Sequence, residues 1–387
     1  MSRWSKPIFA VALAGAVVAG FAGAGSFAQK ADAGWPTLAT LGPPKTPKDN
    51  PTTPAKAELG RRLFYDADLS WDGTIACATC HEQKRGFTDP NKTRQGFDGK
   101  LGERNIQALA NIAYFNSLTW GGPHVDTLEH QALIPIEGLV PVEMGFSGRP
   151  EGALGNRLRD QACYPQMFAA AFPEKSGEIS MDTITMALAA FQRTLVSLNA
   201  PYDRYRRGEK TAISAQAKRG EALFNSKQCA SCHAGPHFTE AALPGVKPIE
   251  AFHALGPPKP GDQPAKDSGL ARITLKAEDA GRFRTPGLRN VSLSAPYMHD
   301  GEVATLPEAI RYHYAAADRQ SDTRLKQTFS KAQVSDLVAF LETLTDRGFI
   351  TNPAFSLPKP GCPLPAEPAK LAGEANSADL HNNLPGP

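Results

Sequence analysis

Cys77-Ala78-Thr79-Cys80-His81 and Cys229-Ala230-Ser231-Cys232-His233 set two cysteines and a histidine at the same spacing twice in one chain. That pentapeptide suits covalent attachment of a c-type haem. Two thioethers fix the macrocycle, and the adjacent imidazole reaches its iron from one side. A thioredoxin-like dithiol and a zinc ribbon are the competing readings. Paired zinc-binding CxxC motifs usually lie roughly 15–20 residues apart, whereas here the second pair follows only at Cys229. Two copies, each ending in His, imply two covalently bound haem c groups, with His81 and His233 as iron ligands.

Such attachment requires export, and the N-terminus supplies it. Arg3 and Lys6 precede an apolar run from Ile8 to Phe21, and Ser26-Phe27-Ala28 offers small residues for cleavage before Gln29. A membrane anchor would lack that cleavage site, so residues 1–28 read as a signal peptide and the mature protein as periplasmic, without a membrane segment. Losing Arg3 and Lys6 takes the formal charge from +3 to +1, which gives no reason to invoke nucleic acid. Cys163 and Cys362 are left over, and a disulfide between them is plausible in an oxidising compartment. Free buried thiols are the alternative.

The elements that must hold these groups read as helices. Gly60-Arg61-Arg62-Leu63-Phe64 precedes the first motif, and Gly220-Glu221-Ala222-Leu223-Phe224 the second. An aromatic residue follows each histidine, in Gly86-Phe87-Thr88-Asp89 and Phe238-Thr239-Glu240. This is one small helical unit used twice. Met181 to Leu198 carries Ile184, Ala187, Leu188, Phe191 and Leu195 at helical spacing. Thr305-Leu306-Pro307-Glu308 is a capping box for a helix through about Ala316, and Ser330 starts another bearing Val334, Leu337, Phe340 and Leu341. No strand pattern stands out, and Pro and Gly imply long loops. The expected fold is mainly α, two cytochrome c-like domains packed face to face. The expected division is residues 29–205, then 206–351, then a Pro-rich extended or disordered tail over 352–387.

The chain resembles the bacterial dihaem cytochrome c peroxidase and MauG superfamily, from about Glu58 to Phe355. Besides the haem motifs, the resemblance rests on Arg104-Asn105, on Leu118-Thr119-Trp120-Gly121, and on Gln131 through Pro141-Val142-Glu143-Met144-Gly145. It continues in Phe283-Arg284-Thr285-Pro286-Gly287-Leu288-Arg289-Asn290, in Ala295-Pro296-Tyr297-Met298-His299-Asp300-Gly301 and in Leu344-Thr345-Asp346. The Leu-Thr-Trp and Pro-Val-Glu-Met-Gly stretches look closest to the MauG/MbnH-like branch, in which a partner protein's tryptophan is oxidised.

The resemblance implies a role for each matched residue. Many family peroxidases place a second histidine at the spacing that here falls on Phe97, so the His81 haem should have an open distal side. Glu143 matches the distal acid-base carboxylate, Gln131 and Pro135 its pocket neighbours, and Trp120 the aromatic residue between the haems. The second haem takes a distal ligand from the helix after Thr305. Ungapped alignment selects His313, where MauG carries tyrosine. A one-residue slip selects Tyr314, and Met298 is a further alternative. A Ca²⁺ ion would be held by Asn105 and by the backbone carbonyls of Arg284 and Pro286. His237, His253, His299 and His381 have no assigned chemistry, although His299 could bond a haem propionate or simply pack.

The leading expectation is a periplasmic dihaem peroxidase. It reduces hydrogen peroxide at the His81 haem with electrons delivered through the His233 haem, from a cytochrome c or cupredoxin donor. A MauG/MbnH-type enzyme that oxidises tryptophan in a protein substrate is the alternative. A non-catalytic dihaem electron carrier is a third reading, disfavoured by the missing histidine at Phe97.

Overall fold

The computed structural model describes residues 35–254, 267–315 and 328–359. The signal segment 1–28, Cys362, His381 and the tail from Pro360 lie outside the described residues. Cys163 is disulfide-bonded, while Cys77, Cys80, Cys229 and Cys232 are free thiols in the bare polypeptide.

The repeat seen in the motifs is also a repeat in packing. In the first half, α1 (Pro54–Phe64) leads to the short α2 (Cys77–Cys80), then to α3 (Leu128–Glu137), α4 (Ala153–Arg159), α5 (Tyr164–Ala171) and α6 (Met181–Thr194). Helix α1 crosses α6 so closely that a Cβ on Gly60 would lie 1.8 Å from the Ala187 carbonyl oxygen. After α7 (Pro201–Arg206), the second half repeats the arrangement with α8 (Ala215–Ser226). The helices α9 (Ala271–Thr274), α10 (Leu306–Ala315), α11 (Lys331–Glu342) and α12 (Arg347–Thr351) follow. Here a Cβ on Gly220 would lie 1.9 Å from the Asp336 carbonyl oxygen on α11. Only glycine permits either crossing.

The two halves also share a second device. Asn111 and Asn290 both adopt positive φ, 61° and 62°. Asn111 N–H donates to the Leu195 carbonyl just past α6, and Asn290 N–H to the Leu344 carbonyl just past α11. That bond explains why α6 stops at Thr194 rather than at Leu198, since the Leu195 carbonyl serves Asn111 instead of a further helical turn.

Capping places the expected helices well. Ser330 Oγ accepts the Gln333 N–H at 3.2 Å, and Val334, Leu337, Phe340 and Leu341 are buried as expected. Two expectations need correction. A small antiparallel sheet exists, with β1 (Phe252–Ala254) pairing β2 (Arg282–Arg284); three-residue strands are too short to show alternation in sequence. The tail is also neither extended nor disordered at its start. Residues 353–355 form a 3-10 turn, Phe355 is buried against the first core, and its carbonyl accepts from Tyr65 Oη at 2.8 Å. A single aromatic anchor outweighs the Pro-rich composition there. Among the described residues no helix is long and apolar enough to cross a membrane.

The halves meet face to face. Asn105 N–H donates to the His299 carbonyl at 2.7 Å, and Arg284 N–H to the Trp120 carbonyl at 2.9 Å. Arg104 pairs with Asp267 at 2.6 Å across the same seam.

Candidate haem and peroxide site

Helix α2 ends at His81, whose Nδ1 lies 2.9 Å from the Phe87 carbonyl oxygen. His233 Nδ1 lies 3.1 Å from the carbonyls of both Phe238 and Pro286. A carbonyl only accepts, so each Nδ1 carries the hydrogen and each Nε2 keeps its lone pair, the tautomer an iron ligand needs. Burial pushes the His81 pKa below its ordinary value. It pushes that of His233 down to about 4, helped by the nearby His313. Both imidazoles are therefore neutral. The two acceptors share an unusual backbone, Phe87 at φ 65° and Phe238 at φ 54°. Bulky residues rarely adopt this conformation, and in both halves the carbonyl of the residue so held meets the histidine Nδ1.

Burial also pushes the thiols of Cys77 and Cys80 up to about 12 and that of Cys229 to about 11. Protonated thiols are poor redox nucleophiles. Thioether formation needs no thiolate in the finished protein.

The second motif opens on a cavity of about 850 Å³, within the range of cofactor pockets. Cys229, Cys232 and His233 line it together with His313, Tyr314 and Met298. The rings of His233 and His313 stand 6.3 Å apart at 62°. His313 Nδ1 donates to the Ala309 carbonyl of its own helix at 2.8 Å, leaving Nε2 free. Tyr314 instead stacks on Phe329 at 4.1 Å, with a buried hydroxyl that has no hydrogen-bond partner among the described residues. Met298 lies on a strained backbone at φ 72°. The residues present thus fit a haem, with His313 facing His233.

Around the first motif, α3 positions the distal segment. The Pro135 carbonyl accepts the Met144 N–H at 2.9 Å, and the Glu143 carbonyl accepts the Phe97 N–H at 2.7 Å. The Glu143 carboxyl is close enough to Cys77 and Cys80 to raise both their pKa values, and burial pushes its own up to about 7. Gln131 lies one turn before Pro135 on the same helix. Phe97 packs on Gly145, where a Cβ would come within 2.6 Å of its ring. The position at which the family resemblance implied a histidine in many peroxidases is thus filled by a packed aromatic ring.

Trp120 is buried at the seam, and its Nε1–H donates to the Asn105 carbonyl at 2.8 Å. Asn105 Nδ2 donates to the carbonyls of Asn91 and Lys92 at 3.2 and 3.1 Å. Asn105, Arg284 and Pro286 all line the cavity, and all three offer neutral oxygen donors. Pro286 shares its carbonyl with His233 Nδ1. Of the unassigned histidines, His299 stacks on Phe283 at 3.6 Å and His237 on Tyr114 at 4.8 Å. His253 bonds Glu240 at 2.5 Å beside Cys232. Sequence reasoning missed that pair, as well as the carbonyls of Phe87 and Phe238. The only sequence signal for the carbonyls was the Phe-Thr pair after each motif.

Comparison with known proteins agrees with this geometry. Residues 54–211 match the di-haem cytochrome c peroxidase family (CCP_MauG), and residues 217–345 match cytochrome c. The chain is 35% identical over 364 residues to the cytochrome-c peroxidase IdrP1 of Denitromonas iodatirespirans, covering 87% of this chain and 92% of that protein. It is 37% identical over 324 residues to the methylamine utilization protein MauG of Methylophilus methylotrophus, covering 81% and 89%. A solved MauG-like protein associated with microbial copper homeostasis superposes with a TM-score of 0.76 at 38% identity, covering 84% of this chain and 99% of that one. With the haem motifs, the paired helix crossings and these relatives agreeing, the chain belongs to the di-haem cytochrome c peroxidase and MauG family, oxidoreductases that act on peroxide.

Proposed function

We propose that the protein is a periplasmic enzyme that reduces hydrogen peroxide on the His81 side and draws the electrons through the His233 side. The observation that carries this is the asymmetry between the two haem sites. His313 faces His233 across the cavity, whereas beside the first motif's cysteines lies a carboxyl, Glu143, whose backbone carbonyl accepts from Phe97, itself packed against Gly145. A haem held by Cys77, Cys80 and His81 would supply the redox chemistry for peroxide reduction. Glu143 takes a proton from one peroxide oxygen and returns it to the other, which leaves as water. A pKa of about 7 suits a group that must do both near neutrality. Two electrons and two protons complete the reduction to two waters. Trp120, hydrogen-bonded at the seam, relays electrons between the halves, and Gln131 and Pro135 shape the pocket. Asn105, Arg284 and Pro286 hold a Ca²⁺ ion that ties the seam together.

The electron source is a small redox protein, cytochrome c or a cupredoxin. A second reading, favoured by the 38% identity to a MauG-like protein, makes a tryptophan of a partner protein the source. The purified protein tests the proposal. It should retain two haems after acid-acetone extraction and bind and consume peroxide without prior reduction. Extractable haem, or peroxide binding only after reduction, would overturn it.

A further inference from the structure

Trp71 lies six residues before Cys77 on the edge of the distal segment. Its N–H donates to the Met144 carbonyl at 2.7 Å, and its ring meets Phe146 edge-on at 5.7 Å. Two guanidinium groups flank that ring, Arg149 at 4.2 Å and Arg157 at 5.6 Å. Arg157 is fixed, because it donates to the carbonyls of Asp68, Ser70 and Trp71 at 3.2, 2.6 and 2.8 Å. Arg149 is exposed, and its side chain donates from Nε to the Gly145 carbonyl at 3.1 Å. Trp120 is placed differently. Its Nε1–H meets a neutral carbonyl, and among the described residues no cation stacks on its ring.

An indole that gives up an electron becomes positively charged. Cations held over its faces favour the neutral ring and oppose that loss. We infer that Arg149 and Arg157 insulate Trp71 against oxidation, so that oxidising equivalents formed on the His81 side pass inward through Trp120 rather than being lost at the partly exposed Trp71. The inference rests on the reading that peroxide is cleaved on the His81 side. Where insulation fails, one indole C–H becomes C–OH and the peroxide O–O bond breaks. Two electrons pass from the ring to peroxide, and the second oxygen leaves as water.

The test treats the dihaem protein with successive equivalents of peroxide, without electron donor, and maps oxidised tryptophans by peptide mass. Arg149→Gln should gain one oxygen on the Trp71 peptide several-fold more than wild type, whereas Arg149→Lys, which keeps the charge, should stay close to wild type. In wild type the yield should rise with salt, because ions screen the exposed Arg149 charge; this arm needs no variant to fold. Equal Trp71 oxidation in wild type and Arg149→Gln, both consuming peroxide, would overturn the inference. So would oxidation of Trp71 ahead of Trp120 in wild type at low salt. Adding Glu143→Gln to Arg149→Gln should suppress Trp71 oxidation along with peroxide consumption. Persistent oxidation in that double variant would instead overturn the assignment of peroxide cleavage to the His81 side.

Discussion

His233 and His313 present their rings 6.3 Å apart, each with Nδ1 committed to backbone carbonyls. These two imidazoles are the residues that would hold the iron of the second haem. Replacing His313 with glycine should therefore convert the second haem from low-spin to high-spin in its optical and EPR spectra. Tyr314→Phe should leave those spectra unchanged, because Tyr314 is stacked on Phe329. A shift caused by Tyr314→Phe alone would move the ligand by one residue.

The helix crossings predict a stability effect. Gly60→Ala and Gly220→Ala each drive a methyl into a backbone carbonyl, 1.8 and 1.9 Å away before relaxation. Overpacking of this kind costs about 1–3 kcal/mol or more, so both variants should melt earlier by differential scanning calorimetry and incorporate less haem. An unchanged Tm would mean that the helices separate freely.

The legible parts of this fold were local. The haem pentapeptides, the capping boxes at Thr305 and Ser330 and the apolar stripe from Ile184 to Leu195 each declare themselves within a few residues. What sequence could not show depends on distant partners. Phe87 and Phe238 occupy strained conformations in which their carbonyls meet His81 and His233, several residues away. Phe355 docks only because Tyr65 and the first core receive it. The opposition of His313 to His233 needed an alignment, since nothing local separates His313 from Tyr314.

Trp120→Phe preserves an aromatic ring but removes the donor to the Asn105 carbonyl, a bond worth about 0.5–1.5 kcal/mol. Peroxide should still react on the His81 side at close to the wild-type rate, while oxidation of the second haem lags behind it in stopped-flow spectra. Simultaneous oxidation of both haems in the variant would remove Trp120 from the electron path.

Calcium removal should be felt at the second haem, because the Pro286 carbonyl proposed as a Ca²⁺ donor also accepts from His233 Nδ1. Chelation with EGTA should shift the absorbance of the His233 haem, and added Ca²⁺ should restore it. Metal analysis finding no calcium in the purified protein, with spectra indifferent to EGTA, would refute the site.

Glu143 provides the most direct test of the central claim. Burial raises its carboxyl to about 7. The carboxylate needed to take the first proton is therefore present above that pH and lost below it, so the rate of the peroxide reaction should fall as pH drops through about 7. Glu143→Gln keeps the shape but cannot exchange a proton, so it should abolish that pH limb. It should also slow the reaction about 10²–10⁴-fold, with resting haem spectra nearly unchanged. The deciding measurement is stopped-flow mixing of wild type and Glu143→Gln with peroxide across pH 5–9. A slow, pH-independent variant is the predicted result, and a variant reacting at the wild-type rate would contradict the account.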